Sequence, residues 1–384
     1  MLAWPRSSPL EPRNGGHPSG DRTWAWIFLG LLAAAFVVYA GAVVLARVSA
    51  PPLIAAAVVA CAVQLVPLGA PLLLSTDAWA YWDYGRLAAV HDANPYRVHP
   101  DKVSGDAAFP YVGTDWRDSP TVYGPAFTLA SEPLALAADS SPDAAAWIYK
   151  SIAAIAVLAA AVLAAVLSPR PSLALAFVGW NPLLAVHFAG GGHNDAWLAV
   201  LVLGALAAAA AGRRQLAGAF WALGVLVKWA PLALLPLRAL EARARARRVG
   251  HMGFTVAAAV VCSAAFARYG TAWLHAFGPL ARNANRETEW SLPHRLEQLG
   301  VPRALAIALF AAAFFAVYAW LARDAWRGRA RLALATCALL LALPYLVVWY
   351  VVWALPLAAA EDDEPAAVLS LALCAYLLRQ TVPL

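Results

Sequence analysis

Residues 213–248 read RRQLAGAFWALGVLVKWAPLALLPLRALEARARARR. The stretch is apolar from Leu216 to Leu240, basic at both ends, and interrupted by Lys228 and Pro231. One continuous helix would place Arg213–Arg214 and the Arg238–Arg248 run on opposite sides of a bilayer. Proline inside a helix removes a backbone hydrogen bond and clashes with the preceding turn. A helical hairpin that turns near Lys228 returns both basic ends to one side, as the bias of Lys and Arg toward cytoplasmic connections requires. Two short helices are therefore predicted across 214–240.

The rest of the chain fits that reading. Of 384 residues, 62% are hydrophobic and 13% charged, with 28 Lys and Arg against 22 Asp and Glu. Soluble domains carry about 25% charged residues. Apolar runs near the length that crosses a bilayer, about 20 residues, recur at 24–46, 51–74, 143–167, 171–189, 194–211, 303–322 and 366–380, with a further run at 248–268. Segment 330–360 is broken at LPYLVVWY (343–350), as 214–240 is at Lys228. The prediction is an all-α, polytopic membrane protein of about 10–12 transmembrane helices, a count that follows the spacing of the apolar runs. Soluble, fibrous and disordered classes are excluded. The net charge of +6 resides mainly in arginine clusters between spans, so it reads as an orientation signal and not as a nucleic-acid footprint.

With both hairpins included, Arg170, Arg213–Arg214, Arg238–Arg248 and Arg323–Arg331 share one side. The other polar stretches then share the outer face. These are the loop 75–142, the GGHND turn at 191–195, the two breaks, and the loop 269–302. The same parity puts the N-terminal segment outside. Residues 1–23, rich in Pro and Gly, read as a disordered tail ahead of a single transmembrane domain, 24–384. Two helices along the membrane surface are expected within the first loop, over 78–90 and 125–138. The four cysteines lie in apolar segments without CxxC spacing, which implies neither metal nor disulfide.

Candidate chemistry gathers on that outer face. In STDAWAYWDYGR (75–86), Asp77 follows an apolar span by three residues. Asp77, Tyr81 and Tyr84 share a helix face, whereas Asp83 points about 240° away. One carboxylate among aromatics suits a general base better than an acid–base pair, although an N-cap role is the plain alternative. The aromatic residues of the loop, among them Tyr96, Tyr111, Trp116 and Tyr123, fit an interfacial belt or contacts to a sugar or lipid head group. In GWNPLLAVHFAGGGHNDAW (179–197), His193, Asn194 and Asp195 end a span, and Gly190–Gly192 let a ligand approach the backbone. No third residue at helical spacing completes a metal set, and no cofactor is expected. Lys228, Arg282 and Arg286 are candidate cations for a phosphate. His294 and Arg295 add charge to the same loop.

An acidic residue at a membrane exit is followed, in order, by NPY (94–96), SPTVYGP (119–125), NP with GHND (181–195), VKWAP (227–231) and LPYLVVWYVVWALP (343–356). This order resembles the GT-C superfamily of membrane glycosyltransferases. Over roughly residues 51–360 it resembles the actinobacterial polyprenyl-phosphate-mannose-dependent alpha-mannosyltransferases of lipomannan assembly. The resemblance implies a GT-C-like architecture with the two short helices as juxtamembrane elements. It also implies inverting transfer from a polyprenyl-phosphate sugar to a glycolipid or glycan acceptor at the extracytoplasmic face of the cell membrane. Asp77 matches the position of the family's general base. Lys228, His193, Arg282 and Arg286 are then expected on the donor phosphate, and Tyr81, Tyr84, Tyr123, Asn194, Asp195, Tyr345 and Trp349 on the substrates. A transporter of lipid-linked sugars, an assembly subunit without activity, and arabinosyl transfer stay open.

Overall fold

A computed structural model describes residues 2–3, 7–12, 20–276 and 287–383. Among these no strand occurs, and the protein is all-helical. Four helices are each long and apolar enough to cross a bilayer: α1 (Arg22–Val48), α5 (Pro142–Leu167), α10 (His251–Tyr269) and α12 (Arg303–Trp326). Their apolar side chains, Val37, Val256 and Phe315 among them, are exposed, as lipid-facing residues are. The protein is a polytopic membrane protein.

Between these helices lie α2 (Leu53–Leu65), α3 (Asp77–Ala89), α4 (Pro125–Ala138), α6 (Pro171–Gly179), α7 (Asp195–Ala210), α8 (Arg214–Val227) and α9 (Leu235–Ala244). After α10 come α11 (Leu292–Gln298), α13 (Leu332–Ala342), α14 (Leu355–Glu361) and α15 (Glu364–Leu377). Helices α3 and α4 fall within a residue of the predicted ranges, and α3 is buried from Ala78 to Ala88. They cross closely because Gly85 has no side chain: a Cβ there would lie 2.3 Å from the Ser131 carbonyl oxygen.

Both predicted breaks are present. Lys228 is extended between α8 and a 3-10 turn, Ala230–Ala233, that leads into α9. Leu343 is likewise extended after α13, and a 3-10 turn, Val348–Trp353, leads into α14. At 14 residues, α8 is only about 21 Å long, short of the roughly 30 Å hydrocarbon core. The carbonyls freed at the second break have partners. Pro344 O accepts from Thr288 N (3.1 Å), and Leu346 O accepts from Thr288 Oγ1 (2.7 Å) and Gln380 Nε2 (2.9 Å).

The basic connections meet at one end. Arg170 pairs with Asp362, Arg331 Nε with Asp363 Oδ2 (2.6 Å) and Arg47 with Glu364 (2.8 Å). Arg245 donates to Gly328 O, and Gly250 packs on Arg214 O. This is the grouping that charge parity requires.

Three features depart from the sequence reading. Segment 171–189 is not one straight helix but bends by 44° between Gly179 and Pro182 and continues as a π-helical turn, Ala185–Gly190. Pro182 cannot continue the first helix. The fully buried Gln64 of α2 closes the gap, with Nε2 donating to Gly179 O (3.0 Å) and Asn181 O (3.1 Å). Predicted span 51–74 ends earlier, in a 3-10 turn at Val66–Gly69. The N-terminal segment read as a disordered tail is packed where it is described. Leu10 is fully buried against Leu73 and Val382, and Leu10 O accepts from Leu74 N (2.8 Å).

Candidate functional site

The end opposite the basic connections carries the polar groups. Leu74 adopts a left-handed backbone (φ 67°) that ends the first pair of helices and aims Ser75–Asp77 at the start of α3. Asp77 lies in the first turn of α3, where backbone N–H groups favour a carboxylate. Its backbone N–H donates to Ser75 Oγ (3.2 Å). Its Oδ2 lies 3.1 Å from His193 Nδ1 and 3.4 Å from Tyr81 OH. An ionised carboxylate only accepts, so His193 Nδ1 carries the proton and Tyr81 donates. Burial pushes the Asp77 carboxyl up, but the His193 hydrogen bond and the charges of His193 and Lys228 outweigh it and hold it below its usual 3.8.

His193 is fully buried and stacks face to face on Trp349, with centroids 3.8 Å apart and planes 15° from parallel. The glycines before it serve packing rather than a ligand. A Cβ on Gly190 would lie 2.9 Å from Leu73 Cδ1, and one on Gly191 2.7 Å from His187 O. Gly192, at φ 72°, abuts Ala78, Tyr149 and Lys150. Only glycine lets this turn seat His193 against the start of α3.

Two residues on, Asp195 opens α7 and is 1% exposed. Its Oδ1 accepts from Lys228 Nζ (2.6 Å) and Trp353 Nε1 (2.7 Å). Lys228 Nζ also lies over the rings of Tyr350 (4.6 Å) and Trp353 (5.2 Å), which stack on each other at 4.2 Å. An ammonium has three donors. With one given to Asp195, Lys228 keeps charge and donors for a further anion. The break that frees Lys228 is held by Gly124: its N–H donates to Val227 O (3.1 Å), and a Cβ there would lie 2.0 Å from Leu226 O.

These groups open onto a cavity of about 660 Å³. Asp77, Tyr81, Tyr84, Tyr123, Asp195, Lys228, Trp349, Tyr350 and Trp353 contribute to its lining. One arm is apolar, lined by Ala230, Leu232, Ala233, Leu339 and Leu343, with Leu232 exposed. Another part of the wall is Ser75, Thr76 and the turn Gly113–Trp116, where Thr114 and Asp115 are exposed.

Of the residues singled out in the sequence, Asp77, Lys228, Tyr81, Tyr84, Tyr123, Asp195, Tyr345 and Trp349 line this cavity. His193 and Asn194 stand behind the wall, each at most 2% exposed. His193 therefore reaches the cavity only through Asp77 and Trp349, and the Asn194 backbone N–H points to Tyr81 OH (3.5 Å). The Tyr84 hydroxyl is taken by Ser119 O (3.0 Å). Arg282 and Arg286 lie outside the described residues. The sequence reading missed Tyr350 and Trp353, which sit in an apolar run. It also missed that Lys228 and Asp195 pair, although two charges in apolar segments are a signal that each needs a partner. Among the described residues, Glu287, His294 and Glu297 bring ligand atoms within 4.8 Å of one another. None of the three lines the cavity, and Arg303 Nε is 2.8 Å from Glu287 Oε1.

A family model described as alpha-(1->6)-mannopyranosyltransferase, N-terminal domain, matches residues 13–244. The match takes in Asp77, the first loop, His193, Asp195 and Lys228, and stops before Trp349. No curated protein and no solved structure matches the chain.

Proposed function

This chain belongs to the alpha-(1->6)-mannopyranosyltransferase family, and from that premise we propose that it moves mannose from a polyprenyl-phosphate donor to a cell-envelope glycan acceptor. The transfer inverts the anomeric centre and takes place at the extracytoplasmic face of the cell membrane. The observation that carries this reading is Asp77, held by His193, on the wall of a cavity that also presents Lys228 and an apolar arm.

Asp77 takes the proton of the acceptor hydroxyl as its oxygen attacks the anomeric carbon. The bond from that carbon to the phosphate oxygen breaks, and the polyprenyl phosphate leaves with the electron pair. Removing such a base costs about 10²–10⁴-fold in rate. A phosphate leaving group needs positive charge more than it needs a proton, and Lys228 supplies it. Asp195 and Trp353 fix that ammonium in place. The first isoprene units lie along Leu232, Leu339 and Leu343, which line the apolar side of the cavity. Tyr81, Tyr84, Tyr123, Tyr345 and Trp349 frame the sugar. The reaction is proposed to run without a metal. In support of this, His193 already engages Asp77, and Lys228 with Trp353 already engage Asp195.

The test is transfer of labelled mannose from synthetic polyprenyl-phosphate mannose, by purified protein in nanodiscs, to an alkyl alpha-mannopyranoside. Wild type yields product and Asp77→Asn does not, although both bind the donor. Full activity in Asp77→Asn removes the base assignment. Transfer of arabinose but not mannose replaces the sugar.

A further inference from the structure

We propose that the 3-10 turn Thr114–Trp116 is the acceptor subsite, with the Trp116 indole stacking on the acceptor's terminal sugar and the Asp115 carboxylate accepting hydrogen bonds from its hydroxyls. This rests on the transfer reading above.

The cavity has two unlike walls. The apolar arm with exposed Leu232 suits a lipid. The wall at Gly113–Trp116 is polar and aromatic, and its rim residues Thr114 and Asp115 are exposed to solvent. A soluble glycan chain therefore enters past Asp115, while a lipid-borne donor enters from the bilayer. Charge sorts the two substrates in the same sense. A phosphate is drawn to Lys228. A neutral sugar loses nothing beside a carboxylate, which accepts from vicinal hydroxyls.

The turn stands next to the base. A Cβ added at Gly113 would lie 2.5 Å from Thr76 Oγ1, and Thr76 directly precedes Asp77. Trp116 and Asp77 line the same cavity, so a sugar on Trp116 shares it with the base. The turn is also built to hold its shape. Trp116 N donates to Gly113 O (2.8 Å), and Ser119 N to Trp116 O (3.1 Å). Arg117 clamps the preceding strand of loop by donating to Val112 O (3.1 Å) and Pro110 O (3.2 Å). Tyr84 OH ties Ser119 O to α3. A platform fixed before binding loses little conformational freedom when a ligand arrives. An aromatic face with a few convergent polar groups is the usual make-up of a small-molecule site.

The experiment is initial-rate kinetics of the full chain in nanodiscs. An alkyl alpha-mannopyranoside is varied at saturating donor, and the donor is then varied at saturating mannoside. Trp116→Ala is expected to raise the acceptor KM tenfold or more, and Asp115→Asn several-fold. The donor KM stays within twofold, which also shows that the variants are folded. Trp116→Phe retains most of the acceptor affinity. Unchanged acceptor KM in Trp116→Ala overturns the subsite and leaves the transfer reading intact, as does a rise in donor KM alone. Binding of the mannoside without donor is measured in parallel by saturation-transfer NMR. Binding that is present in wild type and lost in Trp116→Ala upholds the subsite even if wild type transfers no mannose. Neither binding nor transfer in wild type overturns both readings.

Discussion

Lys228 Nζ stands 2.6 Å from Asp195 Oδ1, and the same oxygen receives the Trp353 indole N–H at 2.7 Å. The two charges are unequally buried, with Asp195 1% and Lys228 19% exposed. Removing one partner of a buried pair leaves the other uncompensated, at about 3–5 kcal/mol. Lys228→Met strands the more buried charge and is expected to fall in that range. Asp195→Asn leaves the more exposed ammonium, which water and the Tyr350 face still solvate, and should cost about half as much or less. Thermal unfolding of the two variants in detergent checks the order. Equal losses would show that the pair is not asymmetric in this way.

The Asp77–His193 hydrogen bond makes a prediction about pH. The folded-state pKa of Asp77 lies below 3.8, so the carboxylate is formed across the neutral range. Its contribution is present above the unfolded value and is lost as pH falls through the folded one. Wild-type kcat/KM should therefore show no acid limb from this group above about pH 4. His193→Ala removes the largest lowering influence and leaves burial, which raises the value. Its acid limb should move to higher pH, with kcat lower by about 10–100-fold. The pH–rate profile decides. A variant with lower kcat and an unmoved limb would mean that His193 only supports packing.

Much of this arrangement is legible in the sequence, for a physical reason. Basic clusters and polar breaks must sort to opposite ends of a membrane protein, so charge parity alone finds both hairpins and brings Asp77, Asp195, Lys228 and Trp349 to one face. Helices α3 and α4 are equally readable, because Thr76 and Pro125 mark their starts. What is not readable depends on distant partners. The bend at Trp180–Asn181 is marked in the sequence only by Asn181–Pro182, and it persists because Gln64, more than a hundred residues earlier, satisfies the freed carbonyls. The three glycines look like room for a ligand until Leu73, Ala78 and Tyr149 are seen to fill that room. Trp353 shows no sign in an apolar run that it donates to Asp195.

Gly124 joins the first loop to the Lys228 break, and a methyl group there has no space. It would sit 2.0 Å from Leu226 O and 2.6 Å from Leu226 C, both backbone atoms that cannot swing away. Gly124→Ala should separate the start of α4 from the end of α8, destabilise the protein by about 1–3 kcal/mol, and displace Lys228 from the cavity. Donor KM is expected to rise at least tenfold. Gly105→Ala, where nothing lies within 4 Å, serves as the control. Thermal midpoints and donor titrations of the two variants make the comparison. A Gly124→Ala protein that matches the control would mean that the contact yields without cost.

Asp83 supplies a test of stability independent of activity. It is 2% exposed on the face of α3 away from the cavity, and its Oδ2 has no hydrogen-bond partner. Burial, with the nearby Asp106 charge, pushes its pKa up to about 7, against a smaller lowering by Arg86. A folded value above the unfolded one means that the native state holds the proton more tightly. The stabilisation is then complete below 3.8 and is lost as pH rises through about 7. Asn cannot ionise, so Asp83→Asn escapes this loss. The variant should match wild type below about pH 4 and gain on it by roughly 4 kcal/mol by pH 8, since the shift from 3.8 to about 7 spans about three units at about 1.36 kcal/mol each. Unfolding measured at both pH values in the same detergent gives the answer. A difference between variant and wild type that does not change with pH would mean that Asp83 is ionised in the folded protein throughout.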